Sequence, residues 1–276
     1  EVRIVDGTPR LLVNGQPFFA MVGNGEGRDR EGTAAAYKAA GFNVSAIWLD
    51  PMGQPQWWTG PAAYDFAHVD EAIIAQLDRD PAALVLPIVW AAPPPWWAER
   101  HPDEIARFSD GATWGYYKST PSFNSRRWRE DAAAAMTAFV QHVETAPYAS
   151  RILGYWIVGG VSAEWQGWGC HGSAAARHLM DYSAPEQAAF AAYLKARYPD
   201  HPEWAQAGIP DLATRLGREL GVFRDPARAG AAIAYNEMYS ESVVQTMLTC
   251  LGAAKAATGR RKITGAYFGY SLEYAN

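Results

Sequence analysis

Glu164 stands in the segment Gly154-Tyr-Trp-Ile-Val-Gly-Gly-Val-Ser-Ala-Glu164-Trp165-Gln-Gly-Trp168-Gly169. An apolar run of strand length enters a Gly-Gly bend, and a carboxyl group follows between apolar and aromatic neighbours. Low dielectric disfavours the ionised form, raises the pKa and keeps the group protonated near neutral pH, as a general acid requires. The indoles of Trp165 and Trp168 would supply that apolar wall and a face on which a sugar ring can stack.

Two other chemistries are open to the same stretch. Glu164 and His171, with Cys170 and His178 nearby, could hold a divalent ion as in a metal-dependent sugar isomerase. No H-E-x-x-H or C-x-x-C spacing occurs, so no metal ligand is assigned and no cofactor is expected. Ser162 lacks the second glycine of a nucleophile elbow, which leaves acyl transfer without support. His68, His101, His142 and His201 lie in polar or helical surroundings and are assigned no catalytic role.

These groups need elements to hold them. Continuous apolar runs at 17–23, 43–49, 83–90, 152–158 and 262–270 predict five strands, separated by helical periodicity at 33–40, 67–77 and 127–144. Asn14-Gly15 between apolar runs predicts a hairpin turn. Further helical signals at 185–198, 211–220 and 226–257 predict a helical insertion over about 171–257, between the fourth and fifth strands. Strands apolar throughout and alternating with helices indicate an α/β fold with a parallel sheet. No phosphate-binding glycine loop follows any strand, whereas long aromatic loops do, which favours a (β/α)8 barrel of the TIM type. About five of its eight strands are present, so residues 1–276 read as the N-terminal portion of one catalytic domain, completed by a further segment or chain.

In such a barrel the ends of the strands carry the site. Trp48 and Asp50 close the second strand, Trp90 the third and Tyr270 the fifth, while Glu26 follows the first strand and Glu273 the fifth. With Trp165, these are the expected substrate-binding residues. The Trp57–Trp58 pair and the run Trp90-Ala-Ala-Pro-Pro-Pro-Trp96-Trp97 predict loops that present indoles to a ligand.

Composition narrows the partners. Asp plus Glu exceed Lys plus Arg by 29 to 24, a net charge of −5, which supplies no field for a nucleic acid. No apolar run approaches the roughly 20 residues of a membrane span. Aromatic residues make up 13% of the chain, an excess that suits the flat faces of a carbohydrate. Two cysteines do not fix the compartment, and homo-oligomerisation stays open.

Four features carry a specific resemblance: the opening Leu11-Leu12-Val13-Asn14-Gly15-Gln16-Pro17-Phe18-Phe19; Ala39-Ala-Gly-Phe-Asn-Val44; Pro121-Ser-Phe-Asn-Ser125 leading to Trp128-Arg-Glu; and the strand before Glu164. The chain resembles the clan A retaining glycoside hydrolases, and is most similar to their β-galactosidase-like members of families 42 and 35. The resemblance implies hydrolysis with retention, Glu164 as acid/base and a nucleophilic Glu at the end of strand seven, beyond Asn276. It also implies Asn immediately before the acid/base, where this chain has Ala163. Asn236-Glu237 repeats that dipeptide but falls inside a helical pattern and not at a strand end, so the match is read as a coincidence. A carbohydrate-binding barrel without turnover is the alternative.

Overall fold

The computed structural model describes residues 1–24, 33–49, 56–113, 119–160, 163–167, 178–217, 220–221 and 223–268. Glu26, Asp50, Tyr270 and Glu273 lie outside them, as do Trp168, Cys170 and His171. The chain divides into two compact units. The first comprises Glu1–Ala91, Ala133–Val158 and Cys250–Ala266, and the second Ala92–Ala132, Gly159–Thr249 and Tyr267–Asn276.

The first unit opens with an antiparallel meander, β1 (Val2–Val5), β2 (Thr8–Val13) and β3 (Gln16–Pro17). Asn14 and Gly15 join β2 to β3 with φ of 51° and 77°, the left-handed pair that a tight hairpin turn demands. A parallel sheet follows, built from β4 (Val22–Asn24), β5 (Val44–Trp48), β8 (Leu84–Trp90), β9 (Gly154–Val158) and β10 (Ile263–Gly265). Its order is β10-β9-β8-β5-β4, so each strand lies beside its predecessor in the chain. That sequential order is the one a (β/α)8 barrel uses, and a doubly wound sheet reverses instead. The parallel α/β reading of the sequence therefore holds.

Helices α1 (Thr33–Ala39), α2 (Ala67–Arg79) and α4 (Arg126–Thr145) make the early crossovers. Val69 and Ile73 of α2 are fully buried, as the i, i+4 spacing requires. The hydroxyl of Tyr148 and Nε2 of His142, the latter at 2.8 Å, both meet Asp70 Oδ1 and tie α2 to the end of α4. After β9 come α5 (Ala184–Arg197), α6 (Pro202–Ala207), α7 (Leu212–Leu216) and α8 (Pro226–Ala257). Among the described residues, no helix is long and apolar enough to cross a membrane.

The sequence reading needs correction at both tryptophan pairs. Trp57 and Trp58 do not present indoles from a loop: they enter the hairpin of β6 (Trp58–Gly60) and β7 (Ala63–Tyr64) and are 4% and 7% exposed. Trp57 packs on Tyr64, Phe66 and Phe139 at centroid distances of 6.2, 5.9 and 5.3 Å. The Pro-rich run ends in a helix, α3 (Pro95–Arg100), because proline is favoured in a first turn, where its missing N–H is not needed. Trp97 is thereby turned inward, edge-on to Trp128 at 5.0 Å, and its Nε1 donates to Asp131 at 2.9 Å.

Pro87 sits inside β8 without breaking the sheet. Isolated pairing of Val85 with Ile152 precedes the regular ladder that starts at Ile88 and Trp156, so β9 carries one residue more across this interval. Such an irregularity leaves a place where an N–H is not required. Gly154 answers a different demand: a Cβ there would lie 2.3 Å from the carbonyl oxygen of Ile263, so only glycine admits β10 alongside.

β10 is fixed at its base by a mostly buried ion pair. Lys262 Nζ lies 2.6 Å from Glu144 Oε1, with side chains 17% and 12% exposed, and donates to Ala149 O at 2.7 Å. The Tyr155 hydroxyl donates to the same Glu144 oxygen at 2.6 Å, and burial pushes its pKa up. Removing one member leaves a buried charge unmatched, so Lys262→Met is expected to cost about 3 kcal/mol in urea denaturation. Adding Glu144→Gln should recover more than half of that loss. A single variant that unfolds with the wild type would show that the pair does not hold β10.

Candidate functional site

The turn that carries Glu164 begins where β9 stops. Burial on both faces of β9 leaves no room for a polar side chain until the strand ends at Val158. Gly159 and Gly160 then turn the chain at once. The N–H of Trp165 donates back to the carbonyl of Gly159 at 2.8 Å, closing a loop of six residues' separation. The indole of Trp165 lies against Gly159, where an added Cβ would meet its ring at 2.9 Å. At Gly160, φ is +67° and a Cβ would stand 2.4 Å from the carbonyl oxygen of Gln166. Both glycines are therefore demanded by close approach, and the second by its backbone conformation as well.

Around Glu164 the neighbours are dry. Ala163, Trp165 and Gln166 are 2%, 1% and 2% exposed. Glu164 itself is partly exposed, and its Oε2 is shielded from solvent. Ala163 and Trp165 both hold positive φ, 74° and 54°, so the carboxyl rides on a strained turn of the kind that clusters at functional sites. Trp165 is 1% exposed and packs against Phe123, with ring centroids 6.4 Å apart, so its indole is not an open stacking face. All of these residues belong to the second unit.

In the first unit, Trp48 and Trp90 lie at the C-terminal ends of β5 and β8, adjacent strands, with ring centroids 6.1 Å apart and planes inclined at 41°. The structure thus brings together Trp48 with Trp90, and Glu164 with Trp165. Glu26, Asp50, Tyr270 and Glu273 fall outside the described residues. Glu237 lies inside α8 and not at a strand end, exposed, and accepts hydrogen bonds from Tyr198 at 2.6 Å and Tyr193 at 3.3 Å. His178 contacts Ser109 Oγ at 3.0 Å and Asp110 at 3.5 Å. Among the described residues, no group of three or more His, Cys, Asp or Glu could hold a metal ion.

Sequence reasoning missed a second polar centre in the same unit. Asp181 and Glu186 are both fully buried. Asp181 Oδ1 accepts the N–H groups of Arg107 and Ser183 at 2.9 and 2.8 Å, and Oδ2 accepts from Ser183 Oγ at 2.9 Å. Glu186 Oε2 accepts from Asn124 Nδ2 at 2.7 Å. Burial first, and the neighbouring Asp181 second, push the Glu186 carboxyl up to about 8. The spacing Ser183-x-x-Glu186 spells a helix-capping pair, a surface signal, and nothing local marks it as buried.

Parallel strands in sequential order with helical crossovers define the chain as part of a (β/α)8-type α/β fold. The profile of the Glyco_hydro_42 family, described as beta-galactosidase, matches residues 54–207, more than half of the sequence. The chain belongs to this glycoside hydrolase family 42. No curated protein sequence matches it. Among solved structures it is similar to the cold-adapted beta-galactosidase from Rahnella sp. R3, at 14% identity and a TM-score of 0.61, covering 92% of this chain and 36% of that one. It is also similar to the beta-galactosidase from the psychrophilic Marinomonas ef1, at 16% identity and a TM-score of 0.57, covering 84% and 33%. A third is the beta-galactosidase from the haloarchaeon Halorubrum lacusprofundi, at 19% identity and 0.54, covering 81% and 32%. The chain spans about a third of the length of these solved chains.

The turn predicts its own sensitivity. Gly208, with φ of +76° and open space around it, is the control for Gly160. Gly208→Ala is expected to cost about 1–2 kcal/mol, the left-handed penalty alone. Gly160→Ala adds a backbone clash and should cost about 3 kcal/mol or more. Denaturant midpoints compare them, and equal losses would mean that the approach of Gln166 to Gly160 is not tight.

Proposed function

We propose that the chain supplies the acid/base of a retaining glycoside hydrolase that acts on β-galactosides. The reading rests on membership of family 42 and on one observation, the partly buried Glu164 in a turn pinned directly after the fourth parallel strand. Residues 1–276 then form part of a single catalytic domain, with the helices α5–α8 inserted between its fourth and fifth strands.

In the first half-reaction the Glu164 carboxyl donates its proton to the glycosidic oxygen as the bond to the anomeric carbon breaks. The departing group leaves as a neutral alcohol. In the second half-reaction the resulting carboxylate takes a proton from water as that water attacks the glycosyl-enzyme. Retention requires a second carboxylate about 5–5.5 Å away as nucleophile, and this role is not assigned to any described residue. Trp48 and Trp90, with Glu26, Asp50, Tyr270 and Glu273, are the proposed contacts to sugar faces and hydroxyls. Ala163 offers no side-chain hydrogen bond, so the sugar 2-hydroxyl must be held by another group.

The test is Glu164→Gln in the full-length polypeptide. Loss of proton transfer should lower kcat on an alkyl β-galactoside by about 10²–10⁴-fold, with KM little changed. An aryl galactoside whose phenol departs without a proton should lose far less in its bond-breaking step. Undiminished turnover of the alkyl substrate would remove Glu164 from the mechanism. A wild type that binds galactosides without turning them over would make the chain a carbohydrate-binding barrel.

A further inference from the structure

Glu186 is an unusual residue to find with no solvent exposure, and nothing in the hydrolytic scheme uses it. Its Oε2 is bound by Asn124 Nδ2 at 2.7 Å and approached by Ser122 Oγ at 3.5 Å. Its Oε1 is buried and finds no hydrogen-bond partner among the described residues. A carboxylate left in that state would carry an unmatched charge, whereas a neutral carboxyl keeps the Asn124 bond at far lower cost. The groups facing it are Asp181, Arg215 and Tyr235. Arg215 does not discharge it by a close ion pair: its guanidinium stacks over Tyr235 at 4.3 Å and donates to Met180 O at 2.7 Å.

The bond from Asn124 leads to the turn of Glu164. Asn124 Oδ1 accepts from Ser242 Oγ of α8 at 2.9 Å, so the amide is clamped between α5 and α8. The carbonyl of its neighbour Phe123 accepts from Thr246 Oγ1 at 2.8 Å and Arg129 Nη1 at 3.1 Å. With its backbone so held, the Phe123 ring packs on Trp165 at 6.4 Å and edge-on to Tyr239 at 6.0 Å. Tyr239 closes the other side of the turn, for a Cβ on Gly167 would lie 2.0 Å from its hydroxyl. Trp165 and Gly167 flank Glu164 within three residues of it.

We propose that Glu186 is a positioning residue for Glu164, holding the 163–167 turn through Asn124, Phe123 and Tyr239. This rests on the acid/base role proposed for Glu164, and it adds a residue that touches no substrate. Burial favours its neutral form, so the stability that the buried carboxyl lends the cluster is complete below the ordinary carboxyl range near 4.5 and is lost as pH rises to about 8, although the Asn124 bond itself favours the charged form.

Glu186→Ala and Glu186→Gln test this in the full-length protein, by amide hydrogen exchange over residues 159–167 and by kcat and KM from about pH 5 to above pH 8. Glutamine copies the neutral carboxyl and keeps an acceptor for Asn124. Alanine should raise exchange in 159–167 by about tenfold or more, leave 154–158 protected, and lower kcat by about 10–100-fold with KM nearly unchanged. Wild type should lose protection in 159–167 between about pH 5 and pH 8 beyond the intrinsic rise and level off above, and Glu186→Gln should not. If alanine unfolds the protein, the glutamine and wild-type pH profiles still decide. Unchanged exchange in the alanine variant, or the same loss with rising pH in the glutamine variant, overturns the proposal. A Glu164→Gln enzyme with full turnover would instead remove the acid/base assignment, and exchange would still report whether Glu186 holds the turn.

Discussion

A strand hydrogen-bonded on both edges and covered on both faces can accept polar groups only at its ends. β8 is buried at six of its seven residues and β9 at four of five. Both lie inside the sheet with a hydrogen-bonded neighbour on each side, which takes up most of their backbone donors and acceptors. Polarity is thereby concentrated where the strands give out. The tryptophans that close β5 and β8, and the Gly-Gly step that closes β9, are the outcome of this exclusion. Glu164 follows that step by four residues, between Ala163 and Trp165, which are 2% and 1% exposed.

The same constraint explains what the sequence discloses. Runs at 43–49, 83–90 and 152–158 were legible because a doubly covered strand is apolar at every position, and the observed β5, β8 and β9 differ from them by two residues or fewer at each end. The first and last runs mislead for local reasons. The stretch 17–23 splits into β3 and β4 because Asn43 captures the intervening backbone. Its Nδ2 donates to Phe19 O at 2.9 Å and its Oδ1 accepts from Met21 N at 3.0 Å. In the described part of the run at 262–270, residues 262–268, the strand covers Ile263–Gly265 only, because aromatic residues extend an apolar pattern without joining a ladder, and Phe268 is left half exposed.

At the site, legibility followed the distance over which each interaction acts. Glu164 could be singled out because the strand, the glycines and Trp165 that shape its surroundings are consecutive in the chain. Glu186 could not, because Asn124 lies 62 residues away and the Asn124–Ser242 bond spans 118. Burial of a carboxyl is settled by which segments fold over it, and no local pattern encodes that. The tryptophan pairs failed for the converse reason. Gly/Pro-rich flanks announce a loop, yet the hairpin of β6 and β7 and the first turn of α3 use the same residues to turn indoles inward.

Ala163 shows how far local economy was overridden in the turn. Its φ of 74° lies in the region where an L-residue with a Cβ is strained by about 1–2 kcal/mol, and where asparagine is better tolerated than alanine. The clan pattern puts asparagine at this position, which would relieve the backbone as well as offer a hydrogen bond to a sugar. This chain keeps the strained conformation and gives up the side chain. Ala163 is 2% exposed, and the packing of Trp165 on Phe123 is what the turn retains. The strain must therefore be borne by contacts that over-determine the backbone. Those contacts are the Trp165–Gly159 hydrogen bond on one side and the Asn124-centred clamp on the other. A turn held by distant bonds can keep its shape while the residue before Glu164 changes.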